Sequence, residues 1–191
     1  MTIIRQETLA DIPARERLLD IGFGACRFSK TAERLRESRL PADDLSFVAS
    51  EDDRIIGSLR LWNISAGPER PALLLGPLVV ACDAQRRGVG ATLMQHALRE
   101  AQRLGHGAVL LVGDAPYYSR FGFSAENTER LWLPGPYERH RLLARELRSG
   151  ALDGARGLIS ATGVLQPKPD LAALLRAHLI QGSPAATPHA A

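Results

Sequence analysis

Residues 72–112 read ALLLGPLVVACDAQRRGVGATLMQHALREAQRLGHGAVLLV. The stretch opens on an uncharged apolar run, Ala72 to Ala81, and closes on a second one, Ala108 to Val112. Runs of that kind are expected of strands buried on both faces of a sheet. Between them Leu93, Ala97, Ala101 and Leu104 recur at helical spacing, with Met94 and Leu98 alongside, which predicts a helix over 89–104. Gly105 is placed to end it. Strand, turn, helix and strand in succession make a βαβ unit. Its two strands are therefore expected to be parallel, with a right-handed crossover.

Upstream, Ile3 to Glu7 reads as a short strand, and Thr8 to Asp11 as the start of a helix. Ile12, Leu18 and Leu19 supply that helix's apolar stripe, Pro13 sits in its tolerant first turn, and Gly22 and Gly24 end it. A second, charge-laced helix is expected over Ser29 to Ser38. Phe47 to Ser50 and Ile55 to Ile64 flank the polar turn Glu51-Asp52-Asp53-Arg54, which predicts an antiparallel hairpin. Downstream, Leu131 to Leu133 and Arg141 to Leu147 are weaker strand candidates on either side of Pro134-Gly135-Pro136. Asp170 to Ile180 reads as a short amphipathic helix, and Ser183 to Ala191 as a loose tail. The sum is an α/β domain with a mixed sheet over residues 1–160, followed by an extension over 161–191.

Composition narrows the function classes. The formal net charge is +3, and the basic residues are nearly all arginine, with lysine only at Lys30 and Lys168. Mild basicity suits an anionic ligand. A nucleic-acid binder would concentrate its charge in a patch, and none is visible, so no nucleic-acid partner is expected. An Arg- and Ala-rich, Lys-poor chain suits a GC-rich bacterial genome. Cys26 and Cys82 are far apart and form no metal-ligand pattern, so both are read as reduced thiols and no metal is expected. The first residues lack the layout of a signal peptide, and the longest apolar run is too short to span a bilayer. A soluble cytoplasmic protein, monomeric or homodimeric, with no membrane partner is the expectation.

The sharpest local feature is Gln85-Arg86-Arg87-Gly88-Val89-Gly90-Ala91, between the first buried strand and the helix. A pyrophosphate needs several backbone N–H groups converging on one place, a helix N-terminus, and little side-chain bulk. Gly88 and Gly90 allow close approach, the helix start supplies unpaired donors, and Arg86 and Arg87 add positive charge. A Rossmann loop would need G-x-G-x-x-G, and a P-loop would need G-x-x-x-x-G-K-[ST]; neither is present. Read alone, the string is also compatible with a simple glycine-softened turn.

Leu75-Gly76-Pro77-Leu78-Val79-Val80 followed by Gln85 to Gly90 resembles the signature of the GNAT superfamily of N-acetyltransferases, in its bacterial branch. Tyr117-Tyr118-Ser119-Arg120-Phe121-Gly122-Phe123 is similar to that family's later Y-x-x-x-G-F segment, at the matching distance. The matching segments make up about a quarter of the chain, and the order of elements is compatible with the fold from residue 3 to 147.

The resemblance implies a mixed, splayed β-sheet flanked by helices and acetyl-CoA as cosubstrate. It implies as acceptor a primary amine that attacks the thioester directly; the residues do not decide between a small-molecule amine, a peptide N-terminus and a protein lysine. It implies that the main chains of Leu78, Val79 and Val80 hold the pantetheine arm, with the Val80 N–H as oxyanion donor. Gln85, Arg86, Arg87, Gly88, Val89, Gly90 and Ala91 would hold the pyrophosphate, with Thr92 just inside the helix. Tyr118 matches the tyrosine that protonates the departing thiolate; at an ordinary pKa near 10 that transfer is roughly balanced. Tyr117 sits beside it. Phe123 is expected to start the next strand. Two positions depart from the pattern. Cys82 stands where proline is common, which puts a thiol near the thioester. Asp114 stands where an asparagine usually contacts CoA, and an aspartate would accept but not donate.

No carboxylate stands in Leu73 to Ala81, so the general base is not apparent; Glu51, Asp53 and Glu126 are candidates by proximity in the expected fold. His96, His106 and His140 are expected in surface roles. Phe23, Arg27 and Phe28 form one candidate wall for the acceptor, and Trp132 and Tyr137 another. The alternative function is an acyl-CoA-binding regulatory module without useful turnover. A further rival is an interaction protein using the apolar face of Leu171, Leu174, Leu175 and Leu179.

Overall fold

The computed structural model describes residues 1–167. Its strands are β1 (Ile3–Gln6), β2 (Ser46–Glu51), β3 (Arg54–Ala66), β4 (Pro71–Val80), β5 (Ala108–Val112), β6 (Leu131–Trp132), β7 (Leu142–Glu146) and β8 (Gly157–Ala161). The helices are α1 (Ile12–Phe23), α2 (Val89–Arg103) and the single turn α3 (Ala115–Tyr118). One open sheet runs in the order β1-β2-β3-β4-β5-β7, with β8 pairing with both β3 and β6. The β4–β5 pair is parallel, as the βαβ reading required, and the pairs flanking it are antiparallel.

Two apolar cores form, one on each face of this sheet. One packs α1 and α2 on the sheet through Leu19, Leu59, Leu73, Leu93, Met94 and Ala97. The other buries Trp62, Ile64, Leu74, Leu110, Leu131 and Ile159 under the later loops. The continuous apolar character of β4 and β5 follows from this arrangement: Leu73, Leu74, Leu110 and Leu111 are almost wholly buried between the two cores. α1 begins with Pro13 in its first turn and is capped by Gly24, whose φ 64 and ψ -170 are open essentially to glycine alone. Gly22 lies inside that helix.

Several expectations are corrected. The helix over Ser29 to Ser38 is instead two 3-10 turns, Ala25–Ser29 and Thr31–Leu35, separated by extended Lys30. Tertiary bonds explain the difference. Thr31 Oγ1 donates to the Pro136 carbonyl, and Arg34 Nη1 donates to the Pro134 carbonyl at 2.7 Å, tying this segment to a loop a hundred residues away. Phe123 starts no strand; only Ser124 makes an isolated bridge, to Ala144. β8 was not anticipated, because Gly157–Ala161 is short and gains its partners from β3 and β6. Past β8 the chain still bonds to the body, with Leu40 N–H donating to Val164 O at 2.8 Å. The expected helix over 170–180 and tail over 183–191 lie outside the described residues.

One departure from regular pairing shapes everything downstream. Leu59 pairs with Leu78 and Leu61 with Leu75, so β4 carries one extra residue there, at Gly76-Pro77. Gly76 has φ 119, a value open to glycine, and Pro77 has no N–H to offer a ladder. Such a bulge bends the strand. Trp62 Nε1 donates to the Gly76 carbonyl at 2.7 Å and holds the bend from below.

Candidate active site

Beyond that bend β4 and β5 part. Their parallel pairing is confined to Leu73↔Val109 and Leu74↔Leu110. Leu78, Val79 and Val80 pair with β3, opposite Leu59, Ser58 and Gly57. The Ala81 N–H donates to Ile56 O on β3 at 2.8 Å. Main-chain groups alternate in direction along a strand, so Val79 also bonds toward β3, while the N–H and C=O of Leu78 and Val80 face the opening. Buried backbone groups demand partners. An extended ligand with amide groups can take the place of the missing strand.

The opening leads at its upper end to the loop before α2. Cys82–Ala84 makes one 3-10 turn, and Gln85 to Gly88 then lie exposed. Gly88 is the helix cap, left-handed at φ 84, and Arg86 is also left-handed at φ 60. The first bond of α2 runs from Thr92 N–H to Gly88 O at 3.0 Å, and Thr92 Oγ1 donates to the same carbonyl. The N–H groups of Val89, Gly90 and Ala91 therefore have no acceptor inside the helix. A Cβ placed on Gly90 would stand 3.4 Å from Val80 Cγ2 and 3.5 Å from the Tyr117 hydroxyl, so a side chain there would crowd this cradle. Gln85 Nε2 donates to the Val80 carbonyl at 3.3 Å, and Arg87 holds Glu51 at 2.7 Å. Positive dipole, free donors and glycine together suit a pyrophosphate.

At its lower end the opening widens into a cleft of about 840 Å³. Its floor is Leu75 to Leu78 of β4 and Leu111 to Asp114 at the end of β5. Tyr117 and Tyr118 form one side. A roof comes from residues of the 23–36 segment and of the 133–141 segment, the two bound together through Thr31 and Arg34.

The Asp114 carbonyl accepts the N–H of both tyrosines and so sets α3. The Tyr118 ring lies against Gly113, where a Cβ would fall 2.2 Å from the ring edge; a larger residue there would displace the ring. Burial pushes the Tyr118 hydroxyl up to about 12, with Tyr117 and Asp114 acting in the same direction and Arg141 against it. Tyr117 packs edge-on to Tyr118, with centroids 4.9 Å apart, and Arg120 lies over its other side at 4.0 Å.

Glu51, Asp53 and Glu126 do not line this cleft. Glu51 is engaged by Arg87, at the phosphate end. The carboxylates that do line it are Glu33, Asp114 and Glu138. Of the expected walls, Phe23, Arg27 and Tyr137 are present, whereas Phe28 and Trp132 are exposed elsewhere. Cys82 is exposed outside the cleft. Glu33, Arg36, Glu138 and Arg141 gave no signal in the sequence, because each reads as a surface charge until the roof closes. Arg36 is 9% exposed; burial draws its pKa down and Glu33, at 2.7 Å, opposes that. Among the described residues no cluster of His, Cys, Asp or Glu is arranged to hold a metal, and no helix is long and apolar enough to cross a membrane.

Known proteins share this arrangement. Residues 42–125 match the family model described as an acetyltransferase (GNAT) domain. An uncharacterized N-acetyltransferase of Escherichia coli, YhbS, is 28% identical over 159 residues, which is 82% of this chain and 94% of that protein. The crystal structure of Escherichia coli YhbS in complex with CoA superimposes with a TM-score of 0.73 at 27% identity, over 84% of this chain and 89% of that one. A GNAT family acetyltransferase from Brucella melitensis, in complex with acetyl-CoA, gives 0.57 at 25% identity, over 80% and 99%. With the splayed strand and the glycine cradle in place, residues 42–125 match a GNAT acetyltransferase domain and the fold over most of the chain is similar to that of GNAT acetyltransferases solved with CoA and acetyl-CoA, which supports an acetyl-CoA-dependent acyltransferase.

Proposed function

We propose that this enzyme transfers an acetyl group from acetyl-CoA directly to a primary amine held in the cleft, as a cytoplasmic bacterial protein. One observation carries the reading: the free backbone edge of β4 joins a helix-end cradle to a roofed cleft flanked by two tyrosines. Leu78 and Val80 bind the pantetheine arm through their outward main-chain groups, and Val79 keeps the strand on β3. Gln85 to Ala91 bind the pyrophosphate, with Arg86 as a charge at the rim and Thr92 closing the cap. Tyr117 borders the cradle beside Gly90. Asp114 acts through its carbonyl, which fixes the tyrosine turn.

Holding amine and thioester in one cleft removes much of the entropic barrier to attack. The oxyanion donor is the Leu78 N–H in preference to that of Val80. Leu78 lines the cleft, whereas Val80 stands beside Gly90 and its carbonyl is braced by Gln85. Tyr118, with its pKa near 12, stays protonated at neutral pH. A thiol's pKa is about 8.5, so complete proton transfer from this tyrosine runs uphill. Its contribution is a hydrogen bond to the sulfur that strengthens as negative charge builds there.

Calorimetric titration with acetyl-CoA, wild type beside Gly88→Glu, tests the reading. Binding in the wild type that is lost in a folded Gly88→Glu supports it. No binding to a folded wild type sinks it.

A further inference from the structure

The roof of the cleft is built for an anion. Among the described residues four buried polar side-chain atoms have no hydrogen-bond partner, and three are the Nε of Arg27, Arg36 and Arg141. All three arginines line the acceptor cleft. A guanidinium cannot shed its charge, and a buried donor left without an acceptor is costly. Their other nitrogens are partly engaged already. Arg36 Nη2 holds Glu33 at 2.7 Å, Arg27 Nη2 holds Glu16 and Asp20, and Arg141 reaches Glu138 at 3.7 Å. Arg36 is the most buried of the three. Its side chain is 8% exposed, and Nη1 lies 3.9 Å from the Cβ position of Gly76, at the bend of β4.

The cosubstrate does not account for these donors. Its phosphates belong with Gln85 to Ala91, none of which lines the cleft, and a pantetheine arm and a thioester carry no charge. The charge balance of the lining is also specific. Arg27, Lys30, Arg36 and Arg141 face Glu33, Asp114 and Glu138, which leaves one net positive charge. A monoanion neutralises it. A phosphate of nearly two negative charges overshoots and meets three carboxylates.

We propose that the acceptor is an amine that also carries a free carboxylate, an amino acid or short peptide, and that Arg36, flanked by Arg27 and Arg141, selects it by that carboxylate. A planar guanidinium fork matches a carboxylate in geometry as well as charge. The inference rests on the cleft being the acyl-transfer site. It turns away alkylamines that carry no carboxylate, such as a protein lysine side chain.

The test reads thiol release from acetyl-CoA with matched acceptors: α-amino acids and dipeptides, each beside its carboxamide and its aminophosphonate analogue. Wild type, Arg36→Gln and Arg141→Gln are compared after their acetyl-CoA affinities have been measured by calorimetry. The wild type is expected to prefer the carboxylate over its amide by about 10- to 100-fold in kcat/KM, the range set by one charge-assisted hydrogen bond. Arg36→Gln removes that preference through KM for the carboxylate, leaving the amide's KM and the acetyl-CoA affinity unchanged. Arg141, with a 43% exposed side chain, gives a variant that is readable if Arg36→Gln does not fold; its preference falls by a smaller factor. Equal use of carboxylate and amide, or preference for the phosphonate, overturns the inference. So does acetyl-CoA binding without turnover of any carboxylate-bearing amine, and the acyl-CoA reading then survives. Failure to bind acetyl-CoA overturns that reading and the inference with it.

Discussion

At the scale of single residues, Tyr118 and Tyr117 are neighbours in one motif but face different glycines. The Tyr118 ring fits against Gly113, among the residues lining the cleft, while the Tyr117 hydroxyl stands near Gly90. Removing the Tyr118 hydroxyl is expected to cut kcat and spare cosubstrate binding. Tyr118→Phe should lower kcat about 100-fold with acetyl-CoA affinity within twofold of wild type, checked by steady-state rates beside calorimetry. The sign of the pH dependence is also fixed. Burial raises this pKa to about 12, so the protonated donor persists as pH rises, and kcat should show no alkaline fall from Tyr118 up to about pH 10. A wild-type alkaline limb below pH 10 that Tyr118→Phe abolishes would contradict the assignment. The Y-x-x-x-G-F spacing made Tyr118 legible in the sequence. The packing of its ring against Gly113 and the opposing effect of Arg141 on its pKa were not, since they arise only in the folded chain.

At the scale of elements, α2 and α1 show how local chemistry sets a boundary and how a contact then uses it. α2 begins after left-handed Gly88, and Gly90, in its first turn, leaves room beside β4 and Tyr117. Gly90→Ala should hold or raise the thermal midpoint, since alanine suits a helix better, while weakening acetyl-CoA about tenfold. A denaturation scan and a binding isotherm on the same preparation check both halves. α1 is anchored by Asp11, whose carboxylate accepts from Arg5, from the Thr8 N–H and from the Thr8 hydroxyl. The Arg5 bond, chiefly, holds Asp11 well below the usual carboxylate range. A depressed folded-state pKa contributes stability above the unfolded value, near 3.9, and loses it as pH falls toward the folded one. Asp11→Asn should therefore cost about 1–3 kcal/mol at pH 7, with the gap to wild type closing as pH falls below about 4. Thermal unfolding of both proteins across that range reads it. The helix starts were visible as Thr8, Asp11 and Pro13. The 3-10 turns over Ala25–Leu35 were not, because hydrogen bonds to Pro134 and Pro136 override their helical charge pattern.

At the scale of the molecule, a chain of ion pairs links the sheet to the roof of the cleft. Glu7, 3% exposed, lies between Arg15 and Arg60; Arg15 also holds Glu16, and Glu16 holds Arg27 at the cleft. Removing one charge from a buried group of this kind typically costs about 3–5 kcal/mol, because its partners are stranded. Glu7→Gln should lower stability by that order in denaturant unfolding, far more than Glu69→Gln on the exposed loop. Local sequence was enough for the β4–α2–β5 order, the glycine loop before α2 and the tyrosine turn after β5. Those features are local: apolar runs set strands, 3.6-residue spacing sets a helix, and glycines before a helix expose backbone donors wherever they occur. The depth of the splay and the charge lining the cleft depend on the tertiary structure. The splay needs β3, whose register fixes the extra residue at Gly76-Pro77. The roof needs Arg36 and Arg141, which stand more than a hundred residues apart and line one cleft only when two loops meet over it. Burial turns an ordinary surface arginine into a donor that must be answered, and burial is a property of the whole fold.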